Sequence, residues 1–113
     1  MYYPNGDYYE GNFKFDKFDG FGKFISSDMY YEGEWKNGIT HGKGKEVWKN
    51  GIEYEGDFIE GQKSGFGYHK WENESVYLGE WERGVMHGYG TLTLKNGEIF
   101  KGKFNNGKKE VNI

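Results

Sequence analysis

Tyr31-Glu32-Gly33-Glu34-Trp35-Lys36-Asn37-Gly38-Ile39-Thr40-His41-Gly42-Lys43-Gly44 opens on a glycine bracketed by two rings and closes on two glycines one residue apart. The same frame recurs along the chain. Gly11, Gly33, Gly56, Gly79 and Gly102 follow one another at intervals of 22, 23, 23 and 23 residues. Two residues before each stands Tyr9, Tyr31, Tyr54, Tyr77 or Phe100, and two after stands Phe13, Trp35, Phe58, Trp81 or Phe104. Gly20, Gly42, Gly65 and Gly88 come nine residues later, and Gly22, Gly44, Gly67 and Gly90 eleven later. Agreement in five columns over nearly the whole chain is a tandem repeat, and a fixed short period signals repeat architecture.

Each repeat reads as a β-hairpin. Aromatic-x-Gly-x-aromatic alternates with period two, the strand signature. A turn follows at Asn37-Gly38, Gly61, Gly84 or Gly107, then Gly-x-Gly and a second strand such as Gly90-Thr91-Leu92-Thr93-Leu94. Asn50-Gly51 and Asn96-Gly97 turn the chain into the next repeat, because Asn-Gly accepts positive φ at both central positions. Asn5-Gly6 has the same spacing to Tyr9 and reads as the tail of a leading partial repeat. No segment holds a helical apolar spacing over three turns. The expected fold is all-β, an elongated, open, twisted, single-layer antiparallel sheet of tandem hairpins. It forms one domain over 1–113: a partial repeat 1–8, repeats 9–30, 31–53, 54–76 and 77–99, a truncated repeat 100–109 and a tail 110–113.

Residues two apart on a strand share a face, so Tyr31, Gly33 and Trp35 do. The bare glycine between two rings leaves room for a ring to lie flat across the sheet. With 10 Tyr, 9 Phe and 4 Trp among 113 residues, and on the order of 150–250 Å² buried per ring, a ladder of rings can hold a sheet that lacks a second layer. The opposite face carries Glu10 and Asn12, Glu32 and Glu34, Glu55 and Asp57, Leu78 and Glu80, then Lys101 and Lys103. It reads as a solvated face with Lys23, Lys43 and Lys45 as cross-strand partners, or as a charged ridge that orients a partner or a second copy of the chain.

These residues resemble the MORN repeat (membrane occupation and recognition nexus), roughly Tyr-x-Gly-x-Trp/Phe-x-x-Gly-x-x-His-Gly-x-Gly. Residues 31–44 match most fully, and 77–90, ending His87-Gly88-Tyr89-Gly90, nearly as well. The resemblance implies a scaffold in cytoskeletal, ciliary or membrane-junction assemblies or a module fused to an enzyme, with a groove that holds a partner segment, and pairing into a homodimer in some relatives. Asp16 replaces the turn glycine of later repeats, Asp19 and Ser64 replace the histidine, and Ser27-Asp28 and Asn73-Glu74 replace Asn-Gly. Looser turns are therefore expected in the first and third hairpins. Lys101, Lys103, Lys108 and Lys109 gather at the C-terminal edge, where lysine blunts strand pairing.

Composition narrows the function. Net charge is −3, without the clustered basic excess of nucleic-acid domains. There is no Cys, so disulfides, thiolate metal sites and cysteine nucleophiles are excluded. Met1 to Asp7 lack the features of a signal peptide, and no apolar run approaches the roughly 20 residues of a membrane span. A soluble, cytoplasmic chain is expected, in a cytoskeletal or ciliary setting if the resemblance carries that far.

His41 and His87 share a column 46 residues apart and His69 falls in another, so they are read as packing or hydrogen-bonding beside the Gly-x-Gly turn. No metal or other cofactor is expected. Gly-x-Gly lacks the following helix that phosphate loops use, and carboxylates such as Glu32 and Glu34 on a flat face lack the cleft that general acid–base work requires. The reading is a non-catalytic interaction scaffold for a helical or extended protein segment. Groove-lining candidates are Tyr31, Trp35, Tyr54, Phe58, Tyr77 and Trp81, with Trp48 and Trp71 extending the surface. Membrane lipid or self-assembly stands second, as the alternative occupant.

Overall fold

A computed structural model describes residues 1–110; positions 111–113, most of the expected tail, lie outside the described residues. The strands are β1 (Tyr8–Lys14), β2 (Lys17–Ile25), β3 (Met29–Lys36), β4 (Ile39–Trp48), β5 (Glu53–Ile59), β6 (Gln62–Lys70), β7 (Val76–Glu82), β8 (Val85–Thr93), β9 (Ile99–Asn105) and β10 (Lys108–Lys109). They form one sheet in strict sequence order, every neighbour antiparallel. The Cα envelope measures 53 × 24 × 16 Å. Its smallest dimension is that of a single layer, as the sequence leads one to expect.

The glycine columns fix the register. Gly11 opposes Gly22, Gly22 opposes Gly33, and the pairing continues strand by strand to Gly90 opposite Gly102. A stripe without side chains thus crosses nine strands. On one face, tyrosine covers it. A Cβ added to Gly67 would stand 2.3 Å from the Tyr54 hydroxyl and 2.6 Å from its ring. Only a glycine pair admits a ring that close. Each hydroxyl then donates to the carbonyl of the residue after its own strand's glycine: Tyr9 to Asn12, Tyr31 to Glu34, Tyr54 to Asp57 at 2.8 Å, and Tyr77 to Glu80 at 2.9 Å.

That accepting residue sits where the hairpin register shifts, as between Gly33 and Trp35 or Gly79 and Trp81. A bulge leaves ladder groups unpaired. The tyrosine hydroxyl satisfies the carbonyl. The same residue's carboxylate accepts the N–H in the middle of Gly-x-Gly, with Glu34 taking Lys43 at 2.7 Å and Glu80 taking Tyr89 at 2.6 Å. These acids are therefore parts of the repeat as well as surface charge.

Between the tyrosines the second ring column closes the core. Tyr9, Trp35, Tyr31, Phe58, Tyr54, Trp81, Tyr77 and Phe104 follow one another edge to face, with centroids 4.9–5.7 Å apart. Such pairs each add about 0.5–1.5 kcal/mol beyond burial. The Trp35 and Trp81 indoles also donate to the Gly22 and Gly67 carbonyls at 3.2 and 3.1 Å.

The turns differ from the expectation of looseness. Phe15-Asp16 takes φ of 51° and 63°, the same left-handed pair as Asn37-Gly38 at 52° and 82°. Glu74 takes φ 69° where Gly51 and Gly97 stand in sister turns, and the turn keeps its bonds from Trp71 N–H to the Ser75 carbonyl and from Glu74 N–H to the Trp71 carbonyl, both 2.9 Å. The sheet imposes the geometry and the residue accepts the strain. The Ser26–Met29 turn closes over four residues where Trp48–Ile52 uses five, which accounts for the single 22-residue interval.

Relief of that strain is measurable. Glu74→Gly should raise the stability to urea by about 1 kcal/mol, since a left-handed non-glycine residue costs roughly that much, and the exposed 3.4 Å pair lost with Lys95 contributes little.

Candidate functional site

The eight aromatic candidates do not share one environment. Tyr31, Tyr54 and Tyr77 have no exposed surface, and Trp35, Phe58 and Trp81 are buried with them. These six form the core instead of an open groove, because edge-to-face packing across neighbouring repeats turns each ring into cover for the next. Trp71 is half-buried and Trp48 is exposed. The open surface lies on the other face of the glycine stripe.

There the side chains flanking each glycine form two rows. In the first, Glu10, Lys23, Glu32, Lys45 and Glu55 oppose one another in register, followed by Tyr68, Leu78, Thr91 and Lys101. In the second, Phe21, Lys43, Phe66 and Tyr89 are the middle residues of the four Gly-x-Gly segments. Between the rows runs a trough floored by glycine. One concavity of about 590 Å³ lies over Gly33, Gly44, Gly56 and Gly67, and a second of about 400 Å³ lies over Gly79, Gly90 and Gly102. Phe66 and Leu78 wall both, so the two adjoin there. Phe66 is 58% exposed, Leu78 47% and Tyr89 67%. Clustered apolar surface of this kind marks interaction sites.

The charges of the first strands are mostly answered locally. Lys23 lies 3.9 Å from Glu32 and Lys43 2.9 Å from Asp57. The acidic ridge is therefore an alternating ladder, as the solvated-face reading expects.

The histidine column links successive repeats. The His41 Nδ1 accepts the Glu60 N–H at 3.3 Å and the His87 Nδ1 accepts the Asn106 N–H at 3.5 Å. Asp19 does the same for Asn37 at 3.3 Å. Each tacks one hairpin to the turn of the next. His69 stands apart, buried against Trp71, Trp81 and Tyr54, with its Nδ1 unpartnered. Burial, helped by the Lys63 ammonium, pushes its pKa down to about 4.

The geometry defines a tandem β-hairpin repeat protein whose ring-covered face is its core and whose bare face is its open surface. The MORN repeat profile matches residues 9–28, 31–53, 54–76 and 77–99. The chain belongs to the MORN repeat family, whose repeats generally mediate interactions with proteins or lipids. It is 43% identical over 47 residues to MORN repeat-containing protein 3 of Xenopus laevis, covering 41% of this chain and 20% of that protein. It is 51% identical over 37 residues to the ALS2 C-terminal-like protein of Bos taurus, covering 33% and 4%. With Alsin of Rattus norvegicus it is 35% identical over 49 residues, 43% of this chain and 3% of the relative. The chain thus spans a fifth or less of the length of these relatives. No helix among the described residues is long and apolar enough to cross a membrane.

His69 gives the sheet a defined acid response. Its unfolded pKa near 6.5 exceeds the folded value of about 4, so between these the unfolded chain binds more protons. The stability due to a neutral His69 is full above pH 6.5 and lost as pH falls toward 4, by up to about 3 kcal/mol. His69→Leu, which copies Leu92 of the next repeat, should lose less urea stability between pH 7.5 and 4.5 than the native chain.

Proposed function

We propose that this chain is a non-catalytic scaffold that docks a segment of a partner protein in the glycine-floored trough, as part of a larger assembly. The observation that carries the reading is a pair of adjoining concavities over a bare glycine floor, walled by exposed Phe66, Leu78 and Tyr89. Aromatic residues at a surface are the common anchors of protein interfaces. Family membership supports the same reading at the level of binding. Trp48 and Trp71 offer a smaller contact on the opposite face. The cytoskeletal or ciliary setting implied by the resemblance is decided by the identity of the partners.

Affinity purification of the tagged chain from its own cells tests the proposal. A stoichiometric protein partner should be recovered, and a Phe66→Ala/Tyr89→Ala variant of unchanged thermal stability should lose most of it. A partner kept in full by that variant removes the trough as the docking site. Recovery of no protein, with salt-sensitive flotation on anionic vesicles, replaces the protein scaffold with a lipid-surface module reached through Lys101, Lys103, Lys108 and Lys109.

A further inference from the structure

The two halves of the trough differ in charge balance. Over β2–β5 its charged walls alternate in sign: Lys23 pairs with Glu32 and Lys43 with Asp57, and Lys45 stands in register between Glu32 and Glu55. An incoming charge gains little there. Over β6–β8 the walls turn apolar with Phe66, Leu78 and Tyr89, and Glu80 is occupied by the Tyr89 N–H. Beyond them, on β9, stand the exposed Lys101 and Lys103. Their cross-strand neighbours on β8 are Thr91 and Tyr89, and on the far side of β9 the Glu110 N–H donates to the Lys103 carbonyl at 2.8 Å. Among the described residues neither lysine forms an ion pair.

The trough's width restricts what can enter it. Wall residues flanking a glycine lie two positions apart on one strand, about 7 Å. An α-helix, about 10–12 Å across with its side chains, rides above such walls, whereas an extended chain seats between them. From Gly33 on β3 to Gly102 on β9 is six strand spacings, about 29 Å. An extended segment of about nine residues at roughly 3.3 Å each covers that span.

We infer that the occupant is an extended segment of about nine residues whose apolar side chains lie over Phe66, Leu78 and Tyr89 and whose acidic residues reach Lys101 and Lys103. This rests on the docking proposal and specifies the chemistry of its partner. Apolar contact holds the middle of the segment, and the two exposed ammonium groups set its direction, since charge placement at an interface fixes register and excludes wrong partners.

The test uses the full chain, immobilised, and a random nine-residue peptide library displayed on phage. Enriched peptides should carry aromatic or aliphatic residues followed at one end by Asp or Glu. Against a Lys101→Glu/Lys103→Glu variant the acidic preference should disappear or change to Lys and Arg. A synthetic peptide of the enriched pattern should bind the native chain in fluorescence anisotropy, and Phe66→Ala/Tyr89→Ala should weaken it about tenfold or more. Enrichment without acidic bias, an unchanged peptide set on the charge-reversed variant, or no enrichment on the native chain would each overturn the inference. The docking proposal is judged separately: a cellular partner still lost in Phe66→Ala/Tyr89→Ala keeps the trough and removes only the acidic extended occupant.

Discussion

A tyrosine ring lying flat across two cross-strand glycines is the contact on which the rest of this structure depends. A one-layer sheet has no partner layer against which to bury its side chains. Here the burial is made within the layer. Tyr54 covers Gly67 so closely that any β-carbon there would collide with it, and its hydroxyl satisfies a carbonyl freed by the bulge. One side chain thus supplies apolar cover, a hydrogen bond and a register mark. Burial pushes the Tyr31 and Tyr54 phenols up, so they stay neutral donors throughout the physiological range.

The second face follows from the first. A stripe of glycines that admits rings on one side is equally bare on the other, and there no tyrosine covers it. The trough is therefore the reverse side of the packing rule. Its floor is set by the core, while its walls are residues that the core does not constrain. That separation lets the repeat keep its frame while Phe21, Lys43, Phe66 and Tyr89 differ and give the trough a chemistry that changes along its length. The last repeat departs where it is released from the frame. Phe100 replaces tyrosine and Lys103 replaces the bulge acid, and the two-residue β10 pairs with β9 at Asn105 and Phe104.

Much of the fold is legible in the sequence because glycine and aromatic spacing carry it directly. Strand alternation, the hairpin order, the glycine register and the flat ring over a glycine pair all follow from columns 22 or 23 residues apart. The histidine column reads as a hydrogen-bonding element, but its partner is the turn of the next hairpin, 19 residues on. The open site is less legible. Periodicity places Tyr31 and Trp35 on one face but does not say that Tyr31 meets Phe58 of the next repeat at 5.6 Å and 76°, which closes that face. Phe66 and Tyr89 occupy the variable middle of Gly-x-Gly and Leu78 stands where the earlier repeats carry Glu, and a search for repeating columns passes over the positions that do not repeat. The turns at Asp16 and Glu74 show the converse, a local preference overridden by ladders on both sides.

A double-mutant cycle between Tyr54 and Gly67, read by urea unfolding, tests the central claim most directly. If the ring over the glycine pair is the organising contact, Gly67→Ala in the native background costs on the order of 1–3 kcal/mol through overpacking. The same change in a Tyr54→Leu background then costs far less, a coupling well above the roughly 0.3–0.5 kcal/mol scatter of independent sites. Additive costs would contradict the account, because Gly67 would then be required for its backbone alone and the tyrosine would be one core residue among others.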